Sequence, residues 1–197
     1  MLRRFLFALL GLSVTSPALA HTGIGDTSGF LHGFLHPVAG VDHVLPMVAV
    51  GLFAAMLGGR ALLLVPFTFV AMMAVGGALG MAGLSLPWTE LFISLSVVTL
   101  GAVVAFRLKL PVAVAAALVG FFAIFHGHAH GAEMPGDASG FAYGAGFMLA
   151  TATLHACGIV TALMLGMLTE RNSRWITQLG GGAMALAGIA IVLVAIR

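Results

Sequence analysis

Charge is what this sequence has least of. Only 7% of its 197 residues are Asp, Glu, Lys or Arg, against about 25% in a soluble domain. The chain is 61% hydrophobic and its mean hydropathy is +1.15. A water-soluble fold of this length has too little interior to hide that much apolar surface. A soluble all-α protein is therefore excluded, and lipid is the solvent. Cysteine is nearly absent: Cys157 is alone, which excludes an intramolecular disulfide. There is no basic run either. The Lys and Arg residues sit singly or in pairs between apolar stretches, so the formal charge of +2 gives no reason to expect a nucleic-acid partner.

What is present begins with a three-part N-terminus. Arg3 and Arg4 precede an apolar run from Phe5 to Val14, and Ala18-Leu19-Ala20 forms a small-x-small cleavage site. This predicts a secretory signal peptide over 1–20, with His21 as the mature first residue and 21–197 as a single transmembrane domain. An uncleaved anchor is the other reading. Six apolar segments follow, at 29–57, 61–83, 88–106, 111–131, 141–168 and 176–196. Each approaches the roughly 20 residues that a span requires, and their connections are too short for a separate soluble domain. The expected fold is an all-α, polytopic membrane helix bundle of six transmembrane helices. Pro37, Gly40 and Pro46 predict that the first span is broken or strongly kinked.

Orientation can be read from the basic residues. If the mature N-terminus is outside, the connections after spans one, three and five are cytoplasmic. They carry Arg60, then Arg107 with Lys109, then Arg171 with Arg174, while the two outward connections carry no Lys or Arg. That is the positive-inside pattern; Arg197 alone departs from it. The expected location is the bacterial inner membrane, multi-pass, with a periplasmic mature N-terminus. Small residues four apart, as at Gly76/Gly80 and Gly140/Gly144, serve internal packing and a homo-oligomer contact equally well.

The chemistry lies in the histidines. On this topology His21, His32, His36 and His43 fall at or near the outer end of span one, and His126, His128 and His130 end span four on the same side. His155 reaches about mid-bilayer in span five, and no histidine falls in a cytoplasmic connection. His126 and His130 are spaced i, i+4, and His130 and Glu133 i, i+3, so on a helix they share a face while His128 points away. Imidazole with carboxylate suits nickel, cobalt, zinc or copper. Asp42 is a carboxylate in an apolar segment, costly unless paired and a usual mark of an ion path; a helix N-cap is its plainer reading. Glu90 opens span three as a ligand, a partner to one, or a charge suited to the helix dipole. His155 is an inner way-station or a core histidine. Cys157 and the eleven methionines read as packing.

The stretch His36-Pro37-x-x-Gly40-x-Asp42-His43, with His126-Gly127-His128-Ala129-His130-Gly131-x-Glu133 later, resembles the HupE/UreJ family of nickel permeases over essentially the whole chain. The larger nickel/cobalt transporter family fits less well, because five residues rather than four separate His36 from Asp42. The resemblance implies nickel supply to hydrogenase and urease maturation, cobalt in some members, and functional roles for His36, Asp42, His43, Glu90, His130 and Glu133. The expectation is a permease and not an enzyme, with a divalent ion as substrate and no permanently bound cofactor. The metal-handling set is His36, Asp42, His43, Glu90, His126, His128, His130, Glu133 and His155. The competing readings are a bis-histidine haem membrane cytochrome and an intramembrane hydrolase using metal-activated water.

Overall fold

The computed structural model describes residues 29–134 and 139–196, and among these every regular element is an α-helix. In chain order they are α1 (Gly29–Ala39), α2 (Val41–Leu57), α3 (Ala61–Met81), α4 (Thr89–Ala105), α5 (Val112–Ala132), α6 (Gly140–Gly166) and α7 (Glu170–Ala195). The signal-peptide reading and His21 lie outside the described residues.

Helices α3, α5, α6 and α7 are each long and apolar enough to cross a membrane. The pair α1 and α2 passes the same test together, bent by 84°. At 17 residues, α4 is about 25 Å long at 1.5 Å per residue, the short end of the spanning range. Large apolar side chains face outward along these helices, among them Leu63 at 79% and Phe141 at 89% exposed. Water would expel such a surface, whereas lipid solvates it. The chain is a polytopic membrane protein whose first element is broken, as its sequence predicts.

The position of the break is instructive. Pro37 and Pro46 both sit inside helices, and the chain turns between them at Gly40, which is extended at φ −104°, ψ 124°. Proline removes one helical hydrogen bond without necessarily ending the helix. Because residue 46 has no N–H, the carbonyl of Asp42 has no helical i+4 donor. A second difference concerns α7, which starts at Glu170 rather than near 176. Its first turns, Glu170 to Arg174, are polar and exposed apart from half-buried Ser173, and an acidic residue in a first turn suits the helix dipole. Polarity there marked the edge of the apolar layer, not the end of the helix.

Backbone-to-backbone contact holds the bundle in pairs. A methyl group added at Gly76 would collide with the Ile124 carbonyl on α5, and one at Gly127 with the Met73 carbonyl on α3. Gly51 of α2 and Gly158 of α6 approach each other in the same way, as do Gly101 of α4 and Gly181 of α7. With little hydrophobic drive between helices in lipid, such close approach supplies the association. Gly80 packs against the His128 carbonyl, but Gly144 faces open space, so only the first of the two expected glycine pairs is a packing seam. Between the pairs lies a core of Met47, Val50, Phe53, Val65, Phe69, Leu100 and Val119.

Candidate metal centre

The run from His126 to Gly131 divides its residues among three faces of α5. His126 and His130 lie one turn apart on the inner face. Gly127 and Gly131, one residue further round, carry the seam with α3. His128 falls on a third face, and its Nε2 lies 2.6 Å from the Leu84 carbonyl. A carbonyl only accepts, so His128 donates. Its Nδ1 lies 3.4 Å from Thr89 Oγ1. His128 thus fastens the 84–88 connection and the start of α4 to α5. The structure does not bring it to the other histidines.

Those others converge. His36 Nε2 lies 3.3 Å from Glu133 Oε2. The His36 and His130 rings meet edge-on, with centroids 4.7 Å apart. His130 meets His43 at 4.4 Å, and His43 meets His126 at 5.2 Å. Phe69 follows, 5.7 Å from His126 and 5.0 Å from His155. The series begins at Glu133, with about a third of its side chain exposed, and ends at a fully buried His155. One potential ligand atom each from His36, His130 and Glu133 lies within 4.8 Å of the others. Ligand atoms bound at about 2.1 Å to one ion lie at most about 4.2 Å apart, so the triad would have to close to hold it.

The break at Gly40 is what brings α1 and α2 jointly to this site. Asp42 lies in the first turn of α2 and is not its cap. Its Oδ1 is 2.9 Å from His43 Nδ1. An ionised carboxylate only accepts, so His43 donates from Nδ1 and keeps its lone pair on Nε2. That nitrogen is buried and has no hydrogen-bond partner among the described residues. A carboxylate holding one imidazole nitrogen while the other stands open is the usual arrangement behind a metal-bound histidine.

Other orphaned atoms share this region. Nδ1 of His126, both ring nitrogens of His130 and of His155, and the Tyr143 hydroxyl are buried without a partner among the described residues. Each such group costs about 1–3 kcal/mol, so a concentration of them is unusual for a fold alone, and a bound ligand would satisfy some of them. Tyr143 was not singled out from sequence. It is the chain's one tyrosine, which was a usable signal, and its ring sits 6.3 Å from His36 and 5.9 Å from His32. Phe147, at 4.0 Å from the His130 ring, looked like any other core aromatic. Glu90 is exposed in the first turn of α4, on the helix whose start His128 fastens. Cys157 is exposed.

With neutral imidazoles, the array carries two formal negative charges, on Asp42 and Glu133. Both carboxylates keep about a third of their side chains exposed, and one divalent cation would balance their charge. Nitrogen and oxygen donors without thiolate fit a borderline transition metal. The ring-to-ring contacts leave no room for a porphyrin between the histidines of the cluster.

The fold and the array define a multi-pass integral-membrane protein with histidines and carboxylates gathered between its helices. The chain belongs to the HupE/UreJ family, whose model, described as HupE / UreJ protein, matches residues 8–191. That family is associated with nickel and cobalt uptake for hydrogenase and urease. The chain is 45% identical over 186 residues to Protein HupE of Rhizobium leguminosarum bv. viciae, covering 94% of this chain and 95% of that one. No solved structure matches it.

Proposed function

We propose that this protein is an inner-membrane permease that imports a divalent transition metal, nickel first and cobalt second, from periplasm to cytoplasm. On this reading 1–20 is a cleaved export signal, six spans follow, and the ligand cluster opens outward. Glu133 and His36 receive the ion and exchange it for water stepwise. His130 and His43 hold it, with Asp42 keeping the His43 Nε2 lone pair aimed at it. His126 passes it beyond Phe69 to His155.

The observation that carries the reading is the series of four imidazoles, His36, His130, His43 and His126, that runs inward from partly exposed Glu133, with Phe69 between its inner end and buried His155. A site that must release its cargo cannot be a closed four-ligand trap, and a series of partial sites avoids that. An inside-negative potential favours entry of a divalent ion by about 4–5 kcal/mol per 100 mV, twice the single-charge value.

Uptake of ⁶³Ni by cells with and without the protein tests this. Expression should raise accumulation, and unlabelled cobalt should compete. Asp42→Ala should abolish uptake at unchanged protein level. Full transport by that variant would reduce Asp42 to a first-turn charge. Stoichiometric zinc surviving purification and chelation would favour a hydrolase instead.

A further inference from the structure

Ser96 is a polar residue buried at 0% exposure in the apolar helix α4, with no place in the ligand series. Its Oγ lies 2.6 Å from the Ile93 carbonyl oxygen and 3.0 Å from His126 Nε2. Two oxygens approach that closely only with a hydrogen between them. The carbonyl has none to give, so the single hydroxyl proton of Ser96 is spent on Ile93, the back-bonding common for serine within a helix. Toward His126 the hydroxyl has only a lone pair left. The ring nitrogen facing it must therefore carry the hydrogen.

We propose that Ser96 is a positioning residue that sets the tautomer of His126: Nε2–H donates to Ser96 Oγ, and Nδ1 is left as the metal donor. The assignment accounts for two facts at once. Nδ1 of His126 is buried and unpartnered, and the ring presents itself to His43. Ser96 does for His126 what Asp42 does for His43, but without a charge. A neutral partner raises ligand basicity less than a carboxylate does. Within one series this makes His126 the weaker holder and His43 the stronger, so an ion is held at the mouth and released inward. This inference rests on the transport reading.

The test uses full-length protein in lipid nanodiscs with isotope-labelled histidine. Nuclear magnetic resonance reports the His126 tautomer without metal, and His126→Gln identifies the signal by its loss. Wild type should be a single Nε2–H tautomer. Ser96→Ala should show a mixture, and Ser96→Thr, which keeps the hydroxyl, should restore the single form. Calorimetric nickel titration should give Ser96→Ala an affinity roughly 10–100-fold weaker, with Ser96→Thr close to wild type. An Nδ1–H tautomer in the wild type would overturn the assignment with no variant needed. Wild-type nickel binding matched by Ser96→Ala would remove the role alone. A wild type that binds no nickel would sink the transport reading together with it.

Discussion

The rings of His43 and His130 meet at 4.4 Å and 64°, which joins the second half of the broken first element to the end of α5. This contact exists because the chain turns at Gly40, one residue before α2 begins. The geometry at that residue is tight. A Cβ there would lie 2.6 Å from Asp42 Oδ1 and 3.1 Å from His43 Nδ1, so the pair that aims His43 must shift to admit a methyl group.

Gly40→Ala is therefore expected to act on binding more than on folding. Its backbone angles suit alanine, and thermal unfolding should move little. Nickel affinity should fall at least tenfold, about 1.4 kcal/mol, because Asp42 and His43 are displaced together. Paired melting and calorimetric curves decide it; equal affinity with a lowered melting point would place Gly40 in the fold alone.

His128 should behave in the opposite way. His128→Ala removes the donor to the Leu84 carbonyl, at a cost of about 1–3 kcal/mol. Melting in detergent should drop while nickel affinity stays within about twofold, less than half a kcal/mol. A large loss of affinity would return His128 to the ligand set.

Nickel binding should weaken in acid. Only neutral imidazole can ligate, so protons compete with the metal for the same lone pairs. Affinity is full where the ligating nitrogens are free of protons and falls as acid protonates them. Calorimetric titration at pH 7.5 and at pH 5 should give the weaker binding at pH 5. Flat affinity across that interval would speak against imidazole ligation.

His155 lies beyond Phe69 from the other histidines. His155→Ala is expected to leave equilibrium nickel binding at the outer cluster intact while slowing uptake by cells. Phe69→Ala should cost about 3–5 kcal/mol of stability as a buried aromatic truncation. Unchanged uptake in His155→Ala would make His155 a core histidine.

Much of this site could be read from spacing. His126 and His130 one turn apart, with Glu133 beyond, had to share a face if α5 was a helix, and the same geometry turned His128 away. Gly40 lay within the stretch where a break was expected, although the prolines on either side were absorbed into helices. What spacing could not supply was partnership between helices. Nothing local in Ser96 says that it will meet His126 thirty residues on. Nor does the apolar pattern around Tyr143 say that α1 will lie against α6. Such contacts depend on which glycine seams close, and a glycine four residues from another looks the same whether it meets a backbone, as Gly80 does, or open space, as Gly144 does.

Those seams have a mechanical consequence. Where two helices touch backbone to backbone, no side chain lies between them to yield, and sliding one past the other means collision. Helices α3 and α5 therefore form one stiff block, and α2 with α6 another. His126, His130 and Glu133 belong to the first, whereas His43 and Asp42 belong to the second. The easiest displacement is of block against block, and it parts donors on one side from donors on the other in a single movement. On the proposed transport reading, grip on the ion and the closed shape of the bundle are thus the same mechanical state.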